Sequence, residues 1–213
     1  MQTWVDAVLV LVLLLNFMAL SAGRLRTLIR AVTVQGVLLG LLLALARGKW
    51  ELTVLVMAGA TVILKGMVIP RMLFHAVREV VIHRETEPVF GLMASMLLGA
   101  SGTVMALLFS GTLPVVHGNI GSLVAPAALS TVLAGFLILM TRREAIAQVV
   151  GYLILENGVF VFGLLLMEAI PFLIELGVLL DLFVAIFVMG IIIHKISREY
   201  SSVSTRMLSE LKE

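Results

Sequence analysis

Cysteine is absent from this 213-residue chain, and charged residues are scarce. Without thiolates the chain forms no disulfide, ligates no iron-sulfur cluster through cysteine and carries out no thiol catalysis. Asp, Glu, Lys and Arg make up 13% of the residues, against roughly 25% in a typical soluble domain. A chain so poor in charge has too little polar surface to enclose a soluble core.

Other chemical signatures are missing as well. The four histidines fall in predicted connections or at a helix end, so no pair is placed to ligate a haem inside a membrane. No phosphate-binding loop, dinucleotide fingerprint or nucleophile motif is present. We therefore expect no cofactor, no metal site and no enzyme active site. The net charge of +2 gives no indication of nucleic-acid binding.

Apolar residues are abundant instead. They make up 61% of the chain, the mean hydropathy is +1.16, and the long apolar runs approach the ~20 residues of a membrane helix. The sequence predicts an all-α, polytopic transmembrane bundle of about seven helices. The predicted spans are 4–20, 31–46, 52–69, 89–109, 123–140, 145–167 and 171–193.

The basic residues predict the orientation of the bundle. If the spans alternate, twelve Lys and Arg side chains fall on one side, Arg47 and Lys49 fall on the other, and Lys65 lies inside a span. Because cytoplasmic loops are enriched in Lys and Arg, the N-terminus is predicted outside and the C-terminus in the cytoplasm. The twelve are Arg24, Arg26, Arg30, Arg71, Arg78, Arg84, Arg142, Arg143, Lys195, Arg198, Arg206 and Lys212.

The predicted spans divide the chain into three regions. Residues 1–121 form an N-terminal four-helix region with an amphipathic cytoplasmic connection at 70–88, residues 122–196 form a three-helix region, and residues 197–213 are a cytoplasmic tail. The connection is predicted to lie at the membrane interface or to dock onto a partner subunit. In the fourth span, Gly91, Ser95, Gly99 and Thr103 share one helical face, which predicts close packing against another helix.

A short internal similarity relates the second and sixth spans. Residues 34–43 resemble residues 156–166 with one residue fewer, and each run opens the middle helix of a set of three. Parallel repeats of this kind occur in membrane proteins. Because Leu and Gly are frequent in this chain, a chance similarity is the alternative. If the repeat is real, its first copy lacks both intramembrane acids.

Two carboxylates lie at similar depth in consecutive spans. Glu156 is eleven residues from Ala145, and Asp181 is ten residues from Pro171, so both lie roughly 15 to 17 Å from the ends of their helices at 1.5 Å per residue. An ionised side chain at that depth costs roughly 2.5 to 3.5 kcal/mol, which favours a functional role. We predict that the two acids form one proton-transfer unit.

Further polar residues extend this candidate proton path. Glu144, Gln148 and Tyr152 recur every four positions below Glu156, as a proton entry route from the cytoplasm or as hydrogen-bonding groups between helices. Lys65 lies about 20 Å below the outer surface by helical rise. Its side chain is predicted either to neutralise Glu156 or Asp181, or to extend towards the cytoplasm past Pro70.

Three segments carry a resemblance to a known family. The stretches 65–71, 141–144 and 151–158, together with the overall length, resemble component E of hydrogenase-4-type complexes. Residues 122–195 are also similar to the K-type subunit of respiratory complex I and to the C subunit of multisubunit sodium/proton antiporters. In this comparison Glu156 and Asp181 match the two membrane glutamates of the K-type subunit, while Arg142 and Arg143 lie about a turn further from Glu156.

The resemblance implies a cofactor-free membrane subunit of a group 4 membrane-bound hydrogenase or related complex. Such a subunit couples redox chemistry in partner subunits to proton or sodium movement, in the inner membrane of a prokaryotic cell. Its implied partners are the other membrane and cytoplasmic subunits and membrane lipid. A subunit of a cation/proton antiporter and a purely structural scaffold are the alternatives.

Overall fold

The computed structural model describes residues 2–46, 52–79, 89–112, 122–165 and 190, and the fold is given for these residues. They form helices and short connecting turns, without a β-sheet. Six helices are long and apolar enough to cross a membrane, which confirms the predicted all-α transmembrane class. The predicted seventh span, 171–193, falls outside the described residues apart from Gly190.

The observed helices follow the apolar runs closely. The second span is longer than predicted, because its helix begins at Leu25 and takes Arg26 and Arg30 into its first two turns. The helices are α1 Gln2–Leu20, α2 Leu25–Ala46, α3 Leu52–Ile63, α4 Ile69–Glu79, α5 Leu92–Ser110, α6 Val124–Thr141 and α7 Ala145–Leu165, with a π-helical turn, Leu64–Val68, between α3 and α4.

The third span differs from the sequence prediction, because the helix continues through Pro70 to Glu79. Proline lacks an N–H donor, and its ring clashes with the carbonyl four residues earlier, here that of Gly66. Gly66 lies inside the wider π-helical turn, and such local adjustments allow proline within membrane helices. The apolar face of α4 is not left to the interface, since Leu73 and Ala76 are buried in the chain's own core.

Two apolar clusters form the core. We call the one at the predicted cytoplasmic side the first cluster and the other the second cluster. The first includes Leu20, Leu28, Ile29, Val32, Ile69, Leu73, Ile138, Val150, Leu153 and Ile154, and the second includes Val5, Leu9, Leu39, Leu42, Ala58, Val124, Ala128, Phe160, Val161 and Leu164.

The small-residue face of α5 packs against protein, as predicted for Ser95, Gly99 and Thr103. Ser95 and Gly99 are buried, a Cβ atom added at Gly99 would collide with the Leu20 side chain of α1, and the hydroxyls of Thr103 and Ser130 lie 2.7 Å apart. Gly91 is exposed at the start of the helix.

We expect Ser95→Leu to lower the stability of the protein, since Ser95 is 2% exposed and overpacking a buried position costs about 1 to 3 kcal/mol. The measurement is the melting temperature of the detergent-solubilised protein. Ser101→Leu is the matched control, because the same change then falls on the exposed side of the same helix. Equal melting temperatures for the two variants would contradict the packing of this face.

Candidate functional site

A layer of polar side chains separates the two apolar clusters. Each of the helical spans other than α5 contributes at least one member, and no member is more than 5% exposed. On each of these helices the polar residue follows one cluster and precedes the other in sequence. We call this set the polar layer; its members are Asn16 of α1, Gln35 of α2, Lys65 of the π-helical turn, Thr131 of α6, and Glu156 and Asn157 of α7.

The polar layer contains an ion pair. Lys65 Nζ is 3.1 Å from Glu156 Oε1 and donates a second hydrogen bond to Asn157 Oδ1 at 3.0 Å. The ammonium also lies 5.4 Å from the centre of the Phe160 ring, within the range of a cation–π interaction. Of the two alternatives for Lys65, the structure therefore shows the one in which it pairs with an intramembrane acid.

The pair lies midway along both helices. Glu156 is eleven residues from the start of α7 and nine from its last described residue, Leu165, which places it roughly 14 to 16 Å from either end. Lys65 is ten residues from the start and twelve from the end of the apolar stretch Leu55–Val77. Both charges therefore lie near the depth at which an unpaired charge costs most.

Close contact between α2 and the π-helical turn positions Lys65. A Cβ atom added at Gly36 would lie 2.5 Å from the Lys65 Cβ and 3.0 Å from the carbonyl of Lys65. Only glycine leaves room for this approach. The π-helical turn adds a wider loop of backbone at the same point, and such turns occur frequently at functional sites.

The hydrogen bonds continue from the ion pair through three amides and a hydroxyl. Asn157 Nδ2 donates to Gln35 Oε1 at 3.4 Å, Gln35 Nε2 donates to Asn16 Oδ1 at 2.7 Å, and Asn16 Nδ2 donates to Thr131 Oγ1 at 2.8 Å. The Thr131 hydroxyl in turn donates to the carbonyl of Ala127 at 2.7 Å. All donors point the same way, away from Lys65, so the chain fixes the orientation of Asn157 and presents its carbonyl oxygen to the ammonium.

A small cavity adjoins the ion pair. Its volume is about 10 Å³, and it is lined by Lys65, Asn157, Val32, Ile69 and Leu153. The three apolar residues belong to the first cluster, so the cavity lies on the predicted cytoplasmic side of the pair. It has room for about one water molecule and offers that water polar partners.

The structure describes three of the remaining predicted site residues, Glu144, Gln148 and Tyr152. Gln148 and Tyr152 are exposed on the outer side of α7 among the described residues, and Tyr152 is 36% exposed. Gln148 Nε2 donates to the carbonyl of Arg142 at 3.0 Å. The entry route through these residues stays a prediction, and Asp181 lies outside the described residues.

Arg142 links the ends of two helices. Its side chain is buried, and Nη2 donates to the carbonyl of Leu20, the last residue of α1, at 3.2 Å. A cation is favourable at a helix C-terminus. Burial lowers the pKa of Arg142, and the nearby Glu144 carboxylate opposes that shift. Glu144, the third residue of the predicted entry route, thus contributes to the electrostatics of this turn.

Two contacts support the internal repeat. Leu20 and Arg142 are hydrogen-bonded and lie 122 residues apart, and the bonded pair Gln35 and Asn157 has the same separation. The sequence similarity aligns Gln35 with Asn157 by this same offset.

Sequence reasoning missed Asn16, Gln35, Thr131 and Asn157. Each is an uncharged polar residue inside an apolar run, and many such residues only bond to their own helix, as Thr61 does to the carbonyl of Met57. A usable signal was present nevertheless. Asn157 follows Glu156 directly, and Gln35 holds the same position in the repeated segment.

Comparisons with known proteins give two groups of relatives. The chain is 31% identical to a Mycobacterium tuberculosis protein described as uncharacterized protein Rv0085, over 193 residues that cover 89% of this chain and 87% of that protein. It is 27% identical to hydrogenase-4 component E of Escherichia coli K12 and of Shigella flexneri, over 161 residues that cover 74% of this chain and 73% of those proteins. No family model matches, and no solved structure matches significantly.

Proposed function

We propose that this chain, which belongs to the same family as the uncharacterized Mycobacterium tuberculosis protein Rv0085, is a membrane subunit of a hydrogenase-4-type or related complex I-like assembly. Within that assembly it contributes to ion translocation through the Lys65–Glu156 pair. The support for the assembly is the match to hydrogenase-4 component E over 74% of the chain, together with the six membrane-length helices.

The buried ion pair is the observation that carries the proposed role in translocation. A structural subunit has no need of charge at mid-depth, because apolar packing, small residues and uncharged hydrogen bonds suffice to associate membrane helices. Ionisable groups inside a membrane are rare and mark ion pathways in many membrane proteins. Here two such groups of opposite charge meet 3.1 Å apart, in contact with a cavity that accommodates one water.

The redox chemistry is assigned to partner subunits. This chain contains no cysteine, so an iron-sulfur cluster would have no thiolate ligand here. Asp181 is proposed as the second acid of the path, coupled to Glu156 as in the K-type subunits that residues 122–195 resemble. The assembly is proposed to lie in the inner membrane of a prokaryotic cell, with the N-terminus outside.

The test is ion pumping per electron in sealed vesicles that carry the intact complex. We expect Glu156→Gln to lower this ratio while electron transfer continues, because the change removes an ionisable group and leaves the partner subunits unaltered. Asp6→Asn is the matched control, since it also neutralises one acid but lies in the first turns of α1, far from mid-depth. An unchanged ratio in Glu156→Gln would refute the proposed role and leave the pair as a structural contact.

A further inference from the structure

Two oxygen atoms of the polar layer already hold a cation. Glu156 Oε1 and Asn157 Oδ1, a carboxylate and an amide oxygen, are the kinds of atom that bind metal cations in proteins. In this structure both lie at hydrogen-bonding distance from the Lys65 ammonium, at 3.1 and 3.0 Å. The ammonium is covalently attached to the chain and cannot leave the site. A free cation would therefore have to compete with it for the same two oxygen atoms.

Within the described part of the chain, helix α7 offers no free carbonyl beside Glu156. Sodium sites in transporters are built from carbonyl oxygens of unwound helices and from the C-terminal ends of half-helices. Helix α7 is continuous from Ala145 to Leu165, so the carbonyls beside Glu156 are engaged in helical hydrogen bonds. The cavity next to Lys65 has a volume of about 10 Å³, which is room for about one water and not for a hydrated ion.

We infer that the ion handled at this site is the proton and that sodium does not bind there, because Lys65 occupies the cation position between Glu156 and Asn157. This inference rests on the proposed function, and it identifies the ion that the site carries.

The transfer step is a proton exchange within the pair. A proton moves from Lys65 Nζ to Glu156 Oε1, so that one N–H bond breaks and one O–H bond forms, and the ion pair becomes a neutral amine and a carboxylic acid. The amine then takes a proton from a hydronium ion that reaches the adjoining cavity, which leaves a water there, and the acid passes its proton to the second acid of the proposed path.

The other charged groups on the packed elements lie at least six residues from this step along their own helices. Among the described residues, α2 carries Arg26 and Arg30 in its first turns, α4 carries Arg71, and α7 is preceded by Glu144. Glu144 is about three turns from Glu156, and Arg26 is nearly three turns from Gly36, the α2 residue that contacts Lys65. Arg30 lies six residues from Gly36 and Arg71 lies six residues from Lys65, and both are exposed. Phe160 covers the pair on the side of the second cluster, so protons reach Lys65 from the side of the cavity.

The experiment uses the intact complex in sealed vesicles, with proton uptake and sodium uptake measured in parallel during electron transfer. Lys65→Arg is the decisive variant. A guanidinium keeps the positive charge and the contact with Glu156, but it cannot be deprotonated in a protein. We expect Lys65→Arg to assemble and to lose about the same increment of proton uptake per electron as Glu156→Gln. The lost increment should be the same when sodium is replaced by choline.

Each alternative outcome has a distinct meaning. If Glu156→Gln lowers sodium uptake, or if the increment disappears in choline buffer, the identification of the proton is overturned while the proposed role in translocation stands. Normal proton uptake in an assembled Lys65→Arg complex would also overturn the identification of the proton as the ion carried. If Glu156→Gln changes neither ion, the proposed function itself fails. Should Lys65→Arg not copurify with its partners, the choline comparison on the wild type and Glu156→Gln gives the answer alone.

Discussion

Lys65→Met and Glu156→Gln are each expected to destabilise the protein more than the double variant does. Breaking a buried ion pair by removing one partner typically costs about 3 to 5 kcal/mol, because it leaves a charge buried without its counter-charge. Replacing both partners removes that penalty and is often close to neutral. Both side chains here are about 4% exposed, so solvent does little to reduce the effect.

The measurement is the free energy of unfolding of the solubilised protein, compared in a double-mutant cycle. We expect the change in unfolding free energy of the double variant to differ from the sum of the two single changes by about 2 kcal/mol or more. Interaction energies of this size are found between residues in direct contact. Lys65→Met combined with Asp6→Asn is the control cycle. Asp6 lies in the first turns of α1, and distant pairs are additive within about 0.5 kcal/mol. Additivity in the Lys65 and Glu156 cycle would contradict a coupled pair.

Hydropathy was sufficient to predict the membrane helices, because crossing a bilayer requires a length and composition that few other structures share. It failed at the end of the third span. The amphipathic pattern of residues 70–88 predicted a connection that lies at the membrane interface or docks onto a partner subunit. In the described part, residues 70–79, the helix continues and buries Leu73 and Ala76 against the chain's own core. Amphipathic periodicity identifies an apolar face, but it does not distinguish lipid from protein as the partner of that face.

The depth of each buried charged residue in the membrane was predictable from the sequence, but the direction in which its side chain points was not. Residue counts placed Glu156 near mid-depth and Lys65 about 20 Å below the outer surface, since the rise per residue is constant. In the structure both lie near the middle of their spans. Which way each side chain points depends on the rotation of each helix about its axis. That rotation is set by contacts such as Gly36 against Lys65 and Gly158 against Val132, and by the π-helical turn, which shifts every later residue around the axis. None of these is visible in the hydropathy of one helix.

The same reasoning explains why the predicted entry route remains a prediction. Glu144, Gln148 and Tyr152 share one face of α7, but Glu156 lies another turn along, and with 3.6 residues per turn a spacing of four drifts by about 40° at each step. Over three steps the drift carries the row from the outer side to the interior. The polar layer, in contrast, is joined by hydrogen bonds between different helices. Its members therefore show no regular spacing within any one helix.

Gly36→Ala is expected to impair ion translocation strongly while leaving the protein assembled. The added methyl group would lie 2.5 Å from the Lys65 Cβ and 3.0 Å from the Lys65 carbonyl carbon and oxygen, and backbone atoms cannot move aside as a flexible side chain does. We expect α2 and the π-helical turn to separate, which lengthens the contact between Lys65 and Glu156. A displacement of about 1 Å between reacting groups can lower a rate by roughly 100-fold.

Gly59→Ala is the matched control for this prediction. It adds the same methyl group to α3, six residues before Lys65, at a position where the added atom would meet nothing within 4 Å. Because alanine favours a helix over glycine by up to about 1 kcal/mol, Gly59→Ala should be neutral or stabilising, with normal ion uptake per electron. In Gly36→Ala we expect that ratio to fall several-fold, at a cost in stability of about 1 to 3 kcal/mol from overpacking. Equal ion uptake in the two variants would show that the close approach of α2 to Lys65 does not determine the geometry of the ion pair.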